Sequence, residues 1–354
     1  MSAARPSSLR VAVIGAGIAG LRCARSLHEA GASVTVFDKG RAVGGRLTAR
    51  RTGGHAFDLG AQYFTVRDER FALWVVEARA RVACAPWPAT IVALDPRTGS
   101  VSATEPQERL VGTPDMNALA RLLADGLDVR TSCRVEHIEP VDGTLALAGT
   151  VAESGVTLAP LRDDPSGTPL GTFDALAVCV PATQAVDLLE AVSPHLAAIA
   201  RRVEFVPCWA LGLVDATLAT IPFDGAFVGR DGDGQSPLAW IARDSSKPGR
   251  PEGQRWMVHA SGPYTSAHRE TSTDEITATL VGELARLLSC APLSPTLTTL
   301  QCWSLARAAH TLGGDPPWDA STRIGLAGDW TGTGQIEGAF LSGLALAERI
   351  LDGG

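Results

Sequence analysis

The residues from Gly15 to Gly20 have the types and the spacing that bind a pyrophosphate. The segment GAGIAG follows an apolar, β-branched run at Arg10–Ile14 and precedes a segment of helical spacing at 21–30. The first glycine permits a tight turn, the second lets a phosphate approach the backbone, and the third lets helix and strand pack closely. The N-terminus of the helix would add N–H donors and a positive dipole.

A second strand and an acid complete this pattern. Ser33–Phe37 is typical of a second parallel strand, and it ends at Asp38. A carboxylate at this place accepts hydrogen bonds from the ribose hydroxyls of an adenosine. The order of strand, glycine turn, helix, strand and acid predicts a dinucleotide site, against the alternative of a glycine-rich turn without a ligand.

Composition limits the size of the fold and the kind of partner. The chain has 354 residues, of which 45% are hydrophobic and 19% charged, as in a globular protein of about one to three domains. Its net charge of −7 argues against nucleic acid or an anionic membrane as partner, and no apolar run is long enough to span a membrane. Seven cysteines without a CxxC pair predict reduced thiols in the cytoplasm and no metal site.

The stretch DKGRAVGGR, from Asp38 to Arg46, bears on which dinucleotide is bound. A glycine pair lets the backbone pass close to a flat or charged group, and an arginine fork suits a pyrophosphate. The arrangement resembles that of the flavin-containing amine oxidase superfamily, where it wraps the far side of the FAD pyrophosphate. This resemblance favours a resident FAD over the alternative, a nicotinamide coenzyme that binds and leaves.

The C-terminal stretch RIGLAGDWTGTGQIEGAFLSGLALAERI is typical of a strand, a glycine-rich loop and an amphipathic helix. Gly328-Asp329 resembles the second FAD motif of the superfamily, whose acid binds the ribityl chain. A helix beginning near Glu337-Gly338 would direct its N-terminus at the N1–C2=O edge of the flavin and stabilise negative charge there. The alternative is a C-terminal helix that only packs on a sheet.

The resemblance therefore implies FAD, which we expect to be held non-covalently because no cysteine or histidine lies at an evident attachment motif. The residues implied at the FAD are Gly15, Ala16, Gly17, Ile18, Ala19, Gly20, Asp38, Lys39, Arg41, Gly44, Gly45, Arg46, Gly60, Ala61, Gln62, Val135, Gly328, Asp329, Glu337, Gly338 and Ala339.

The predicted fold is α/β: a doubly wound, Rossmann-type FAD-binding domain with a second α+β domain built on an antiparallel sheet. FAD motifs at both ends of the chain require a discontinuous domain. We expect the FAD-binding domain to contain residues 1–67, 112–190 and 319–354, and the substrate domain residues 68–111 and 191–318. A helix near 274–288 should cover the second sheet, a hairpin should turn at Asp142-Gly143, and 161–168 should form a mobile loop.

The stretch HAFDLGAQYFTVRDERF, at residues 55–71, opens the expected substrate cavity. Together with PLAWIARDSSKPGR, WMVHAS and the C-terminal motif, it resembles the renalases, especially the bacterial ones, over nearly the whole chain. That resemblance implies an FAD oxidase that takes a hydride from 2- or 6-dihydro isomers of NAD(P)H to flavin N5. Molecular oxygen would then receive the electrons, giving NAD(P)+ and hydrogen peroxide.

The scarcity of lysine and tyrosine agrees with this interpretation. Amine oxidases of the superfamily typically use a lysine near N5 and an aromatic cage near the C-terminus. Here the lysines are only Lys39 and Lys247, and the tyrosines only Tyr63 and Tyr264. Hydride transfer from a dihydropyridine needs a flat slot and orienting donors rather than a strong base.

The candidate site residues follow from the same stretches. We expect catalytic roles for Gln62, Tyr63 and His259, and substrate contacts from Phe64, Trp240, Trp303 and Arg307. For His259 and the tryptophans the alternative is a place in the sheet core, and for Arg307 it is a surface ion pair.

Two positions depart from the bacterial renalases, since Leu305 replaces a tyrosine and Gln335 an arginine. The alternative functions are therefore an FAD-dependent amine or other small-molecule oxidoreductase and, from another class, a flavin-binding protein without turnover of its own.

Overall fold

The computed structural model describes residues 8–152, 167–229 and 236–353, and the mobile loop expected at 161–168 lies almost wholly outside them. The helices of these residues are α1 (Ile18–Glu29), α2 (Glu69–Ala80), α3 (Ala118–Ala124), α4 (Ala182–Leu189), α5 (Pro194–Arg201), α6 (Gly262–Ala267), α7 (Thr273–Leu287) and α8 (Gln335–Leu351).

The strands of the described residues are β1 (Arg10–Ile14), β2 (Ser33–Phe37), β3 (Ala49–Thr52), β4 (His55–Asp58), β5 (Cys84–Pro86), β6 (Ile91–Leu94), β7 (Val101–Ala103), β8 (Leu110–Gly112), β9 (Asp128–Arg130), β10 (Cys133–Val141), β11 (Thr144–Val151), β12 (Thr168–Phe173), β13 (Ala175–Val178), β14 (Phe205–Val214), β15 (Gly225–Val228), β16 (Leu238–Arg243), β17 (Arg255–Ala260), β18 (Leu297–Ala308), β19 (Trp318–Asp319) and β20 (Ile324–Leu326).

A six-stranded sheet forms the first layer, in the order β19-β20-β13-β1-β2-β9. Its central strands are parallel, with Val13 of β1 opposite Ala177 of β13 and Val36 of β2. Val11 to Ile14 are buried, as expected for a parallel strand covered on both faces. The bounds of β1 and β2 agree with the sequence prediction. Because the glycine turn follows the end of β1, it lies at the carboxyl edge of the sheet, where ligands of such sheets bind.

The second layer is a seven-stranded sheet in the order β18-β14-β17-β16-β15-β6-β7. Its pairs are antiparallel except that β15 and β6 run parallel, which the sequence prediction of an antiparallel sheet did not include. The helix expected near 274–288 is α7, whose buried residues recur at helical spacing: Ile276, Leu280, Leu284 and Leu287. They pack into the core on one face of this sheet.

The six-stranded sheet takes strands from residues 1–67, 112–190 and 319–354, and one helix outside these ranges packs with it. Helix α5 packs on α4, and its residues Leu196, Ala197 and Ala200 belong to the core around the six-stranded sheet. The predicted boundary at 191 would have placed α5 in the other domain, so the change of layer comes just before β14. The expected hairpin is present, because Asp142 and Gly143 both have positive φ between β10 and β11.

Helices α1 and α8 join the two ends of the chain through a close contact. A Cβ at Gly343 of α8 would collide with the backbone carbonyl of Ala19 in α1. Only a residue without a side chain permits this approach, which holds the C-terminal segment against the glycine turn.

Replacement of Gly343 by alanine should therefore destabilise the protein, although alanine favours helix. Overpacking costs about 1–3 kcal/mol, and thermal unfolding should begin at lower temperature. The matched control is Gly282→Ala in α7, where an added Cβ meets nothing within 4 Å. That variant should gain about 0.5–1 kcal/mol. Equal melting temperatures for the two variants would contradict the close contact.

Candidate active site and cofactor cavity

A cavity of about 440 Å³ extends from the glycine turn to the seven-stranded sheet. Residues of both layers line it, together with the segment that follows β4, residues 59–63, which we call the connecting segment. The lining residues are Gly17, Ile18, Ala19, Gly44, Arg46, Leu47, Leu59, Gly60, Ala61, Tyr63, Cys179, Val180, Val206, Pro207, Cys208, Ala239, Trp240, His259, Ala260, Gly262, Trp303, Ala306, Arg307, Gly328, Asp329, Trp330, Gln335, Ile336 and Ala339.

The three glycines of the turn have the separate environments that a pyrophosphate site requires. A Cβ at Gly15 would lie 2.6 Å from the carbonyl oxygen of Cys179, and one at Gly20 would collide with the carbonyl of Gly15. At Gly17, by contrast, an added Cβ would meet nothing within 4 Å, and this residue lines the cavity. The backbone is therefore open at Gly17, where a phosphate would approach it. At Gly15 and Gly20 the backbone is closely packed, because helix and strand meet there.

Asp38 is held against the same turn. Its carboxylate accepts hydrogen bonds of 2.6 Å from the backbone N–H groups of Ala16 and Gly40. Burial raises the pKa of Asp38, although these two bonds favour the charged form. The carboxylate is thus fixed beside the first turn of α1, where the sequence predicted a partner for ribose hydroxyls.

Arg46 and Asp329 connect the two glycine-rich motifs. The guanidinium donates two hydrogen bonds to the carboxylate, of 2.8 and 2.6 Å, and a third of 3.2 Å to the carbonyl of Ala306. The two residues are 283 positions apart in the chain, and both line the cavity. The pair fixes the far end of the cavity by joining the N-terminal and C-terminal segments.

Most of the predicted site residues come together around this cavity. Its wall contains, from the predicted set, Gly17, Ile18, Ala19, Gly44, Arg46, Gly60, Ala61, Tyr63, Trp240, His259, Trp303, Arg307, Gly328, Asp329 and Ala339. The other predicted residues lie outside that wall: Gly15, Ala16, Gly20, Asp38, Lys39, Arg41, Gly45, Gln62, Phe64, Val135, Glu337 and Gly338.

Phe64 and Glu337 line a separate cavity of about 240 Å³. The Glu337 carboxylate accepts bonds of 2.7 and 2.9 Å from the backbone N–H groups of Arg67 and Asp68, so it fixes the start of α2. Phe64 packs against Phe71 at 5.8 Å between ring centroids. Neither side chain faces the larger cavity, where a contact with substrate or cofactor was predicted.

Aromatic rings and one histidine form the wall next to the seven-stranded sheet. Trp240 lies opposite His259 across β16 and β17, and its ring centroid is 5.6 Å from that of Tyr63. The Trp303 indole donates a 3.0 Å hydrogen bond to the carbonyl of Leu59. Tyr63, Trp240 and Trp303 therefore give this part of the cavity an aromatic wall.

His259 is a neutral imidazole in this wall. Burial, together with the charge of Lys247, lowers its pKa to about 4, against a backbone hydrogen bond to Leu59 that favours protonation. The ring therefore carries no charge at neutral pH, and protonation becomes significant only in acid.

Lys247 does not line the cavity. Its ammonium group is fully buried between Asp58, Asp244 and Gln62, at 3.2, 2.8 and 3.1 Å. Neither Lys247 nor any of these three partners lines the cavity, so the ammonium does not face a ligand there. The lysine of a conventional amine oxidase therefore has no counterpart in Lys247.

Cys208 and Gln335 border the cavity although sequence reasoning assigned them no contact. A register shift between Val206 and Cys208 marks a bulge in β14, and this bulge brings Cys208 to the wall. Burial raises the pKa of the Cys208 thiol to about 12, so it is not a nucleophile. Gln335 has φ of 61° at the start of α8 and lines both cavities.

Comparison with known families identifies the group to which the chain is related. A model of an NAD(P)-binding Rossmann-like domain matches residues 13–77, and one of the flavin containing amine oxidoreductases matches residues 71–351. The chain belongs to the flavin-containing amine oxidoreductase family. FAD is therefore its cofactor, and the chain is a flavin oxidoreductase in class.

Curated relatives match over a short stretch. A phytoene desaturase (neurosporene-forming) of Rhodobacter capsulatus is 46% identical over 65 residues, which are 18% of this chain and 12% of the relative. A 1-hydroxycarotenoid 3,4-desaturase of Flavobacterium sp. is 48% identical over 54 residues, or 15% of this chain and 11% of the relative. Since the aligned stretch is well under two thirds of each relative, it establishes a shared segment and not a shared substrate.

Solved structures share the whole fold. A putative protoporphyrinogen oxidase from Exiguobacterium sp. 255-15 has a TM-score of 0.74 at 14% identity, over 98% of this chain and 99% of the other. A putrescine oxidase bound to putrescine has a TM-score of 0.73 at 12% identity, over 98% and 100%. At such low identity the likeness concerns the fold alone.

The residues present fit FAD. The bare backbone at Gly17 and the N-terminus of α1 would receive the pyrophosphate, and Asp38 the ribose. Two cysteines, Cys179 and Cys208, border the cavity. Cys302 and His310, side chains of the types to which a flavin can be attached, do not line it. Within the described part of the chain no helix is long and apolar enough to cross a membrane, and no cluster of side chains could hold a metal ion.

Replacement of Gly17 by alanine tests this fit. The added methyl group points into open space, so the FAD-free protein should melt at an unchanged temperature. The same methyl group would occupy the approach of the pyrophosphate, so FAD should dissociate at least about tenfold more readily, which is about 1.4 kcal/mol. FAD binding is measured by titration of the FAD-free protein. As a control, Gly20→Ala should destabilise the fold itself, and unchanged FAD affinity in Gly17→Ala would contradict the assignment.

Proposed function

We propose that the chain is an FAD-dependent oxidase of the 2- and 6-dihydro isomers of NAD(P)H, giving NAD(P)+ and hydrogen peroxide. The observation that supports this is the distribution of charge in the cavity. Of its described lining residues, Asp329 is the one carboxylate, and Arg46 binds it through both oxygens. Arg307 is exposed at the wall, and its side chain has no ion pair or hydrogen bond among the described residues.

This distribution favours an anionic substrate over a cationic one. An amine would meet an unpaired arginine and no free carboxylate, whereas a phosphate or carboxamide would find a donor in Arg307. His259 is neutral at the working pH and adds no opposing charge. A dihydronicotinamide nucleotide carries both the flat ring and the phosphates that this cavity suits.

The side chains have separate tasks in this proposal. When bound, FAD would supply the hydride acceptor, and dioxygen with a proton from water would take up the two electrons as hydrogen peroxide. Tyr63, Trp240 and Trp303 form the sides of the slot and hold the ring of the substrate flat. Arg307 binds the polar end of the substrate. A strong base is not required, because the substrate loses a hydride and no separate proton.

An amine oxidase is the second candidate, because the same aromatic side chains could enclose a neutral amine. The two positions that differ from the bacterial renalases, Leu305 and Gln335, are also compatible with an amine oxidase. Leu305 lies in β18 beside the lining residue Ala306, and Gln335 borders both cavities. A cytoplasmic location is likewise a proposal, supported by seven cysteines that are all free thiols.

Anaerobic mixing with a panel of reductants tests the proposal. The panel contains 2- and 6-dihydroNAD(P), ordinary NAD(P)H, and primary and polyamines, and the loss of flavin absorbance is followed. We expect rapid bleaching by the dihydro isomers alone, and peroxide after air is admitted. Bleaching by amines would establish the second candidate. No bleaching by any compound would leave a flavin-binding protein without turnover.

Arg307→Gln should weaken the reaction with anionic substrates. Loss of a charge-assisted hydrogen bond is worth about 1.5–3 kcal/mol, so kcat/KM should fall about 10- to 100-fold. The control is Arg202→Gln, which removes the same charge from an exposed residue outside the cavity wall. Uncharged dihydropyridines should be oxidised equally by both variants. An equal loss in both variants would indicate a general effect of surface charge.

A further inference from the structure

A closed cluster of charges lies behind the connecting segment, on the side away from the cavity. Asp58 ends β4, and its carboxylate binds the ammonium of Lys247 at 3.2 Å and the guanidinium of Arg250. Asp244 binds the same ammonium at 2.8 Å. All four side chains are 3% exposed or less. Two carboxylates and two cations leave the cluster without net charge.

The cluster fixes the amide of Gln62. Lys247 can only donate hydrogen bonds, so the atom of Gln62 that it contacts at 3.1 Å must be the amide oxygen. The amide nitrogen then points the other way, to the backbone carbonyls of Asp58 and Gly60. The charge of Lys247 therefore decides an amide orientation that geometry alone leaves open.

The orientation of Gln62 in turn constrains His259. The amide nitrogen lies 3.5 Å from Nε2 of the imidazole. Two N–H groups cannot face each other, so an NH₂ group at this place requires an unprotonated Nε2. The proton of the neutral ring then belongs on Nδ1.

The charges around His259 act in the same direction. Its neighbours across the sheet, Ala210 on β14 and Trp240 on β16, are uncharged. After burial itself, Lys247 is the charged group that lowers the pKa of the ring, and it also binds the carboxylates of Asp58 and Asp244. Burial and the charge of Lys247 thus favour the neutral ring, whereas the hydrogen bond to the Leu59 backbone favours the protonated ring.

We propose that Lys247 is a positioning residue: through Gln62 it holds His259 as a neutral imidazole with the proton on Nδ1. The cavity wall beside the connecting segment then carries no charge from His259. Gln62 acts in the same way, as the link between the ion cluster and the wall. This role does not depend on the proposed substrate.

The state of the imidazole nitrogens is measured by ¹⁵N NMR on the FAD-loaded protein as purified. The chain has seven histidines, and the variant His259→Gln assigns the signal by its loss. We expect an unprotonated Nε2 in the wild type, unchanged from about pH 8 to pH 5, since a free histidine titrates near 6.5. A protonated Nε2, or titration near the ordinary pKa, would overturn the proposal.

Lys247→Met removes the donor that orients Gln62 and retains most of the side-chain volume. The amide is then free to reverse, so the Nε2 signal should change to that of a protonated nitrogen or an average, and the pKa of His259 should rise by about one unit or more. The matched control is Arg250→Met, which removes the other cation from Asp58 and makes no contact with Gln62. The control should leave the tautomer unchanged.

A double-mutant comparison separates the hydrogen-bonded link from the simple effect of charge. In a Gln62→Met background, Lys247→Met should raise the pKa of His259 without a further change of tautomer. An equal change of tautomer in both backgrounds would show that Lys247 acts through space and would overturn the link. If Lys247→Met does not fold, Gln62→Met alone decides, because it must release the tautomer, and an unchanged Nε2 signal refutes the proposal.

Discussion

The buried Asp58 carboxylate joins the end of β4 to the segment between β16 and β17 of the seven-stranded sheet, and the positions of both depend on it. It ends β4, and besides Lys247 and Arg250 it accepts a 2.9 Å hydrogen bond from the backbone N–H of Met116. Burial alone would favour the neutral acid, but the two cations lower the pKa of Asp58 below its ordinary value. Removal of one member of such a buried group costs about 3–5 kcal/mol, because a charge remains without a partner. The cluster therefore specifies one position for the segment that passes along the cavity.

A second ion pair, between Arg46 and Asp329, fixes the cofactor end of the cavity, as the Asp58 cluster fixes the substrate end. Arg46 and Asp329 join segments that are adjacent only in the folded chain. A Cβ at Gly60 would collide with the carbonyl of Arg46, so the connecting segment packs directly on the Gly-Gly-Arg motif. The cofactor motifs and the substrate wall are therefore positioned by one continuous set of contacts, and a change in either should be felt at the other.

Local sequence patterns predicted the parts of the fold that local physics determines. The strands at Arg10–Ile14 and Ser33–Phe37, the glycine turn and the hairpin at Asp142-Gly143 all follow from nearby residues. The ion cluster did not follow, since Asp58 and Lys247 are 189 positions apart and no local pattern links them. The bulge at Cys208 and the place of α5 depend on tertiary packing, which periodicity does not report. Sequence thus predicted the FAD motifs and several residues that line the cavity, among them Tyr63, Trp240 and His259, but not the ion cluster behind them.

The same internal pairing is the basis of the proposed selection of substrates by charge. Asp329 is bound by Arg46, Asp58 and Asp244 are bound by Lys247, and His259 is neutral. Each of these groups would otherwise attract or repel a ligand, but their charges are satisfied within the protein. The Arg307 side chain, at the wall and without a hydrogen bond or ion pair among the described residues, is the charge that our proposal assigns to substrate selection. Because the paired charges lie elsewhere, a change at this one position would alter the charge offered to a ligand without leaving a buried charge unpaired.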